Sequence, residues 1–340
     1  MEMFIGGAFQ GKTALAKREF PNIRFEDGTE LSEDGLLKAE GILHFEEYIR
    51  RMLSREEDVS LLAEKLIEQN PAVVIVCREV GYGVVPIDPF ERKYREAVGR
   101  ICTKLAAFSN RVTRVVCGIG TVIKNICDLW FIRHGMTPGN KEKRYIGCRT
   151  DEHLLPEAAE LLRRKRGMIP EVGAVYTSPM VRCLETAEIL FPEFRTYENG
   201  TAGSVSGQKS VQVIKELIEC DFGRFEGHNY KELSGDPDYQ KWIDSGGFLP
   251  FPDGDSREDF LRNSKAGLLK VIEDMELRGI RSASVVTHGG VIMNLMEAYA
   301  RPGRSFYEWS TENGGIRHVR FDTCGRKTGN FAFTYEERGR

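Results

Sequence analysis

Short apolar runs alternate along this chain with longer stretches whose apolar residues are spaced as on one face of a helix. Two of these runs, 128–132 and 283–286, lie far apart in the sequence, and a histidine follows each of them, His134 and His288. A short apolar run is typical of a buried parallel strand, and open α/β sheets bind ligands beyond the carboxyl ends of such strands. We therefore expect the two histidines to face one crevice.

A third apolar run, 173–177, is followed by Ser178-Pro179 and by a helix-like stretch that contains Arg182. Proline suits the first turn of a helix, so Arg182 is expected close to a helix N-terminus in the same crevice. Arg133 precedes the first of the two histidines. Two guanidinium groups, two imidazoles and a helix start form a poor site for a metal ion and a good site for a tetrahedral dianion. The sequence therefore predicts a phosphoryl site.

Four segments between roughly residues 127 and 322 resemble motifs of the histidine phosphatase superfamily, and they occur in that family's order. They are Arg133-His134-Gly135-Met136-Thr137 with Asn140, Ser178-Pro179 with Arg182, Glu219 with Phe222-Gly223, and Thr287-His288-Gly289. The resemblance implies that His134 attacks phosphorus and forms a phosphohistidine, which water later hydrolyses. It implies no metal ion and no other cofactor for the phosphatase site.

The resemblance also implies roles for the residues around His134. Arg133 and Arg182 would disfavour the imidazolium form of His134 and offset the negative charge of the substrate oxygens. His288 would complete the shell that binds the phosphate oxygens. The expected substrate-binding residues are Asn140, Thr137 and Gly289.

The departing ester oxygen needs a proton, and the resemblance implies that Glu219 is the general acid that supplies it. Asp221 and Glu226 lie within a few residues of Glu219 and are alternatives that the residues alone do not exclude. A carboxyl group whose pKa is raised by burial would mark the true acid.

The segments 222–227 and 251–256 resemble the α-ribazole phosphatase branch of that superfamily, although Asp255 stands where many relatives have glutamate. The resemblance implies α-ribazole 5′-phosphate or cobalamin 5′-phosphate as substrate, a small-molecule phosphate ester of cobalamin nucleotide-loop assembly. A mutase or a phosphatase of broad specificity remains an alternative, because a phosphohistidine can return its phosphoryl group to an acceptor other than water.

The first part of the chain carries a different motif, G-x-x-x-x-G-K-T, between the apolar run 3–5 and a helix-like stretch. This context is typical of a phosphate loop, in which backbone amides surround a nucleotide phosphate, a lysine reaches the outer phosphates and a threonine hydroxyl binds Mg²⁺. Asp27 is the expected acidic partner for Mg²⁺ if it ends a second strand. The predicted nucleotide-binding residues are Gly6, Gly7, Gly11, Lys12 and Thr13, with Thr13 and Asp27 as Mg²⁺ ligands.

Residues 3–124 resemble the cobinamide kinase and cobinamide-phosphate guanylyltransferase family, with the segments 72–77, 78–86, 94–100 and 115–119 carrying the similarity. The family's segment with the GMP-accepting histidine has no counterpart here, and His44 lies in a stretch, 36–50, that we expect to be an amphipathic helix. The resemblance implies ATP or GTP with Mg²⁺ as ligands. Adenosylcobinamide kinase activity, nucleotide sensing and a docking role remain alternatives.

Length and pattern together predict an α/β protein with two domains. Residues 1–125 are expected to form a P-loop NTPase-like parallel sheet, and residues 126–340 a three-layer α/β/α domain. The net charge of −3 and the pI of about 6.2 favour neither nucleic acid nor an anionic membrane as partner. Eight scattered cysteines indicate a reducing cytoplasm. We expect the glycine- and serine-rich segment 200–207 to be a loop with a candidate role as a lid. The oligomeric state is left open.

Overall fold

The computed structural model describes residues 1–81, 83–194 and 209–336, so the candidate lid at 200–207 lies outside the described residues. The chain divides into two compact units, Met1–Ile126 and Cys127–Arg340. Each contains a mainly parallel sheet with helices, which confirms the predicted α/β class. Within the described ranges, no helix combines the length and the apolar character that crossing a membrane requires.

The first unit is built on five parallel strands in the order β2-β3-β4-β1-β5, and residues 119–125 of β6 add an antiparallel edge next to β5. Its elements are β1 (Glu2–Gly6), α1 (Lys12–Glu19), β2 (Phe25–Asp27), α2 (Glu33–Lys38), β3 (Gly41–Leu43), α3 (Phe45–Ser54), α4 (Leu62–Gln69), β4 (Val74–Arg78), α5 (Pro89–Phe108), β5 (Arg111–Val116) and β6 (Ile119–Arg133).

Both faces of the first sheet are buried at its centre, which explains the apolar runs in β1 and β4. Met3 packs into one hydrophobic cluster with Ile75, whereas Phe4 packs into another with Val76. Successive side chains of a strand point to opposite faces, so a strand covered on both sides has apolar residues at every position. Because β2, β3, β4 and β1 are parallel, their carboxyl ends lie along one edge of the sheet.

The expected amphipathic helix over 36–50 is wrong, because this stretch contains the end of α2, strand β3 and the start of α3. Helix α2 ends before Gly41, because Ala39 already has an extended backbone with a ψ of 136°. A Cβ atom at Gly41 would lie 2.5 Å from the Phe25 ring, so the chain can pass there only without a side chain. Ile42 and Leu43 are buried on the strand that follows, and His44 adopts a positive φ of 49° before α3 begins.

The second unit has parallel strands in the order β6-β9-β7-β8, where β6 contributes residues 128–133, and β10 also pairs with β6. Its further elements are α6 (Pro138–Lys141), α7 (Pro156–Arg164), β7 (Ala174–Thr177), α8 (Val181–Leu190), β8 (Val211–Val213), α9 (Pro237–Asp244), α10 (Arg257–Leu277), β9 (Ser282–Thr287), α11 (Gly289–Tyr299), β10 (Ile316–Asp322) and α12 (Gly325–Thr328), with 3₁₀ turns at Lys215–Leu217, Gly223–Phe225 and Phe306–Trp309.

The sheet of the second unit is also buried on both faces. Leu129 and Phe131 pack into one cluster, which includes residues of α10 and α11, and Trp130 and Ile132 pack into another, which includes residues of α7 and α8. The helices on the two faces confirm the layered arrangement expected for this unit. Because β6, β9 and β7 are parallel, their carboxyl ends meet at one edge.

Candidate active site

His134 leaves the sheet at the end of β6. Its backbone amide donates to the carbonyl of Thr287 at 2.9 Å, which joins the end of β6 to the end of β9. The side chain is buried, and its Nδ1 lies 2.7 Å from the carbonyl oxygen of Gly135. A carbonyl oxygen can only accept, so Nδ1 carries the proton and Nε2 of the neutral ring keeps its lone pair.

His288 lies beside His134, at the N-cap of α11. The two ring centroids are 5.2 Å apart with an angle of 65° between the planes. Nε2 of His288 is 2.7 Å from Oγ of Ser178, the residue that follows β7. The structure therefore brings together the ends of three parallel strands and the two histidines that the sequence places there.

Arg133 and Arg182 supply the positive charge of the site. Arg133 donates from Nη1 to the carbonyl of Thr311 at 2.8 Å, and Arg182 donates from Nη1 and Nη2 to the carbonyls of Thr150 and Gly147 at 2.9 and 3.0 Å. The Nε atoms of both arginines are buried without a hydrogen-bond partner in the part of the chain that the structure describes. A bound oxyanion would give these donors acceptors.

The electrostatic surroundings keep both imidazoles neutral. Burial lowers the pKa of His134 well below its ordinary value, and the charges of Arg182 and Arg133 lower it further. Burial and Arg182 have the same effect on the pKa of His288. A neutral imidazole is the form that can attack phosphorus through a ring nitrogen.

Glu219 is a buried carboxyl group at the same site. Its oxygens accept hydrogen bonds from the backbone amides of Cys220 at 3.0 Å and Gly290 at 3.2 Å. Burial raises the pKa of Glu219 above its ordinary value, although these hydrogen bonds and the two arginines act in the opposite direction. A raised pKa is the property expected of a general acid.

The two alternative carboxylates are placed differently. Asp221 forms an ion pair with Arg149 at 2.8 Å and accepts the backbone amide of Gly223. Both carboxylate oxygens of Glu226 are buried without a hydrogen-bond partner in the described ranges. Of the three carboxylates, only Glu219 lines the cavity that also contains Arg133.

The predicted substrate-binding residues have distinct surroundings. Thr137 is fully buried, and its hydroxyl accepts the backbone amide of Asn140 in a capping box at the start of α6. Oδ1 of Asn140 accepts a hydrogen bond from Asn313 at 3.0 Å, so the amide group of Asn140, which lines the cavity, has its NH₂ left to donate. A Cβ atom at Gly289 would lie 3.3 Å from Nε of Arg133, so glycine allows that arginine to pack closely.

Two residues of the site were not assigned from the sequence. Ser178 was quoted only as part of a motif, yet its hydroxyl contacts His288. Asn313 also donates from Nδ2 to the carbonyl of His134 at 3.3 Å. Asn313 lies in the turn before β10, nearly 180 residues from His134, and no spacing pattern in the sequence indicates this contact.

A cavity of about 310 Å³ adjoins Arg133, Asn140 and Glu219. Its other walls contain seven aromatic residues from the described ranges, of which Tyr307 is mainly exposed. The further aromatic lining residues are Tyr145, Phe222, Trp242, Phe251, Phe260 and Phe306. The site thus has a polar end that suits a phosphate group and a wider aromatic part.

Arg257 gives the aromatic part of this cavity a cation. Its guanidinium lies over the rings of Phe248 and Phe306, 5.1 and 5.5 Å from their centroids. Two contacts with Glu297, at 3.0 and 2.8 Å, hold the guanidinium in place. An arginine between two rings makes a flat, polarised wall on which a further ring can stack.

Asp255, which stands where many relatives have glutamate, forms a hydrogen bond within the protein. Its carboxylate accepts the backbone amide of Asp221 at 2.9 Å, which ties the segment after Glu219 to the loop before α10. The N-cap of α10 is formed by Ser256, whose hydroxyl accepts the amide of Asp259. Gly223 lies against the same loop, where a Cβ atom would be 2.0 Å from the carbonyl oxygen of Pro252.

The glycine-rich motif of the first unit lies between β1 and α1, the context that a phosphate loop requires. Gly11 has a φ of +84°, and a Cβ atom at Gly6 would lie 2.3 Å from the carbonyl oxygen of Val115, so both positions need glycine. Gly7 accepts a hydrogen bond from Nζ of Lys12 at 3.1 Å. Thr13 is the second residue of α1.

Asp27 does end a strand, β2, but the structure does not bring it to Thr13. Strands β3 and β4 lie between β2 and β1, and three inter-strand spacings amount to about 14 Å. The carboxylate of Asp27 instead contacts the amide and hydroxyl of Thr29 and Nδ1 of His44. The expectation that Thr13 and Asp27 bind one Mg²⁺ ion is therefore wrong. The sequence indicated that Asp27 ends a strand, but it did not indicate the order of the strands in the sheet.

The remaining histidines lie outside the phosphoryl site. His318 stacks on Trp130 and contacts Asp128 at 2.7 Å. His153 is paired with Glu185 on the surface, and the exposed His228 contacts the carbonyl of Glu226.

Known proteins are similar to separate parts of the chain. Over 176 residues it is 28% identical to "Bifunctional protein Rv2228c" of Mycobacterium tuberculosis, which covers 49% of this chain and 43% of that protein. Over 52 residues it is 48% identical to "Bifunctional adenosylcobalamin biosynthesis protein CobU" of Escherichia coli, which covers 15% of this chain and 29% of that protein. The chain thus matches less than half the length of these curated relatives.

A solved structure of a putative alpha-ribazole-5′-P phosphatase from Escherichia coli aligns with a TM-score of 0.46 and 21% identity, covering 58% of this chain and 91% of that one. Residues 37–123 match the family "Cobinamide kinase / cobinamide phosphate guanyltransferase". Residues 129–332, more than half of the chain, match the family "Histidine phosphatase superfamily (branch 1)". The chain therefore belongs to the histidine phosphatase superfamily.

Proposed function

We propose that the second unit is a phosphomonoesterase that works through a phosphohistidine on His134. One observation carries the proposal: the carbonyl of Gly135 fixes the proton on Nδ1, so that Nε2 keeps its lone pair beside the positive charges of two buried arginines. The resemblance to histidine phosphatases supports Arg133, Arg182 and His288 as the residues that bind the phosphate oxygens.

The reaction has two displacement steps. In the first, Nε2 of His134 bonds to phosphorus, the bond from phosphorus to the ester oxygen breaks, and Glu219 gives its proton to the departing oxygen. In the second, Glu219 accepts a proton from water, the water oxygen bonds to phosphorus, and the bond to Nε2 breaks. The unpartnered Nε donors of Arg133 and Arg182 would stabilise the charge on the phosphoryl oxygens in both steps.

We infer that the substrate is α-ribazole 5′-phosphate or cobalamin 5′-phosphate. The resemblance of 222–227 and 251–256 to the α-ribazole phosphatase branch supports this class. The presence, in the same chain, of a segment that matches a cobinamide-modifying family supports it independently. The aromatic cavity supports it as well, because an ester with a planar aromatic base can stack there, whereas phosphoglycerate has no ring.

The test is a phosphate-release assay with α-ribazole 5′-phosphate, ribose 5-phosphate and 3-phosphoglycerate. We expect kcat/KM for α-ribazole 5′-phosphate to exceed that for ribose 5-phosphate at least about tenfold, because burying one aromatic ring contributes about 1.5 kcal/mol or more. The variants Phe306→Ala and Tyr307→Ala, which remove two rings of the cavity wall, should reduce this ratio severalfold, with little change for ribose 5-phosphate.

Tyr230→Ala is the matched control, because Tyr230 is a half-exposed aromatic residue that does not line the cavity. Preferential turnover of 3-phosphoglycerate, or the appearance of an isomerised phosphoglycerate instead of phosphate, would support the mutase alternative and refute the substrate proposed here.

We propose for the first unit that it binds ATP or GTP with Mg²⁺ at the loop of Gly6, Gly7, Gly11, Lys12 and Thr13. The position of this loop between β1 and α1, with Lys12 buried against Gly7, supports nucleotide binding as a second function. The proposal covers nucleotide binding, which kinase activity and nucleotide sensing both require and a docking role does not.

Lys12→Ala is expected to weaken binding of a fluorescent ATP or GTP analogue by at least about tenfold, because it removes a charge-assisted contact to the outer phosphates. Titration with and without Mg²⁺ measures the effect. Lys17→Ala is the control, because Lys17 is an exposed lysine of the same helix. Equal affinity of the wild type and Lys12→Ala would contradict the nucleotide site.

A further inference from the structure

Asp27 and His44 form a carboxylate–imidazole pair that takes no part in the phosphatase reaction or in the proposed nucleotide binding. We infer that His44 is a general base for an alcohol acceptor in phosphoryl transfer from a nucleotide bound at the loop of β1. This inference rests on the proposed nucleotide site, and it assigns to the first unit a reaction rather than binding alone.

The geometry of the pair leaves one ring nitrogen of His44 free to accept a proton. Nδ1 of His44 lies 2.9 Å from Oδ2 of Asp27, whose other oxygen accepts the amide and hydroxyl of Thr29. An ionised carboxylate only accepts, so Nδ1 carries the proton and Nε2 is the acceptor. A carboxylate that fixes the tautomer of a histidine in this way is the arrangement of many general bases.

The pair is accessible, unlike a histidine held in a core. The side chains of His44 and Asp27 are 44% and 42% exposed. Among the residues that the structure describes, none forms a hydrogen bond with Nε2 of His44. His44 is also the N-cap of α3, yet its side chain makes no capping hydrogen bond, so the ring is not used to hold the helix.

The backbone holds this histidine rigidly. His44 has a φ of +49°, a conformation that few residues other than glycine adopt. Its carbonyl oxygen lies against Gly28, where an added Cβ would be only 2.6 Å away, and the amide of Gly28 donates to Leu43 at 2.8 Å. The segments after β2 and β3 are thus locked together, which fixes the distance between the carboxylate and the ring.

The pair lies on the same sheet edge as the phosphate loop. Strands β2, β3, β4 and β1 are parallel neighbours, so the residues after their carboxyl ends share one edge. Only β4 separates β3 from β1, which corresponds to about 10 Å between the two strand axes. The acceptor hydroxyl must lie within this interval, in hydrogen-bond reach of Nε2 of His44 and next to the terminal phosphorus.

The proposed step balances without any further reactant. Nε2 of His44 takes the proton of the acceptor hydroxyl, and the hydroxyl oxygen bonds to the γ-phosphorus of ATP or GTP. The bond from that phosphorus to the bridging oxygen breaks, and the nucleoside diphosphate leaves with the electron pair. The transfer leaves a phosphate monoester, which is the class of compound that the second unit is proposed to hydrolyse.

The experiment follows the γ-phosphate of radiolabelled ATP and GTP in the full-length chain carrying His134→Ala, so that the phosphatase site does not remove the label. Adenosylcobinamide and water are the acceptors. His44→Gly suits the positive φ and leaves a space for free imidazole, and His44→Asn suits the same φ but fills that space. Binding of the fluorescent nucleotide analogue is measured for each variant.

We expect both His44 variants to bind the nucleotide as the parent does and to lose at least about 100-fold in transfer rate, the usual contribution of a general base. Imidazole in solution should restore transfer to His44→Gly and not to His44→Asn, a result that a merely structural role would not produce. Parent-like transfer by His44→Gly, or nucleotide binding by the parent without any transfer, would overturn the inference. Failure of the parent to bind nucleotide would instead refute the proposed nucleotide site and, with it, this base.

Discussion

The His134→Ala variant is expected to lose at least about 10⁴-fold in kcat with any phosphate monoester, because no other group in the pocket replaces the nucleophile. The four groups around it, Arg133, Arg182, Glu219 and His288, would remain and could still bind the substrate. KM should therefore change far less than kcat. Steady-state phosphate release measures both constants.

The same variant tests the covalent intermediate directly. After a brief reaction with a ³²P-labelled ester, the wild-type chain should carry a label that acid removes and alkali does not, as expected for a phosphoramidate, and His134→Ala should carry none. His153→Ala is the control, because His153 is an exposed histidine of the same unit. Retention of the label in His134→Ala would contradict the assignment of the nucleophile.

Glu219→Gln is expected to lower kcat by about 10² to 10³-fold with an alkyl ester such as ribose 5-phosphate, whose departing oxygen must be protonated. With p-nitrophenyl phosphate the loss of the phosphorylation rate should be much smaller, because nitrophenolate leaves without a proton. Single-turnover measurements of the first step separate this effect from hydrolysis of the phosphohistidine.

The raised pKa of Glu219 also predicts the direction of the pH dependence. Burial holds the protonated acid to higher pH than in a free glutamate, so the first step should remain fast up to that pKa and decline as Glu219 loses its proton. This alkaline decline should be absent in Glu219→Gln. Glu226→Gln tests the competing assignment, because it should keep the decline and the full rate. If instead Glu226→Gln shows the dependence on the leaving group, Glu226 is the acid.

The central arrangement of the second unit could be predicted because it depends on local patterns. The apolar runs 128–132 and 283–286 fall on β6 and β9, which pair in parallel and in register up to Arg133 and Thr287. A side chain just after each strand must then lie near the other. The proximity of His134 and His288 thus follows from burial of the strands and from their direction, both of which the apolar runs indicate.

The parts that could not be predicted depend on strand order and on single close contacts. Asp27 was correctly expected to end a strand, yet the insertion of β3 and β4 between β2 and β1 is a property of the whole sheet. The apolar residues on both sides of Gly41 match a helical spacing, whereas Gly41 in fact pairs with Phe25 of β2, a contact that no local pattern indicates. Asn313 reaches His134 through a turn whose sequence contains no motif.

The unmatched guanidinium donors have a consequence for the stability of the second unit. Nε of Arg133 and Nε of Arg182 have no acceptor among the described residues, and a buried N–H without an acceptor costs about 1 to 3 kcal/mol. A phosphate group that accepts hydrogen bonds from these donors offsets that cost. Inorganic phosphate, the product of the proposed reaction, should therefore raise the midpoint of thermal unfolding of this unit, because a ligand that binds only the native state stabilises that state by mass action.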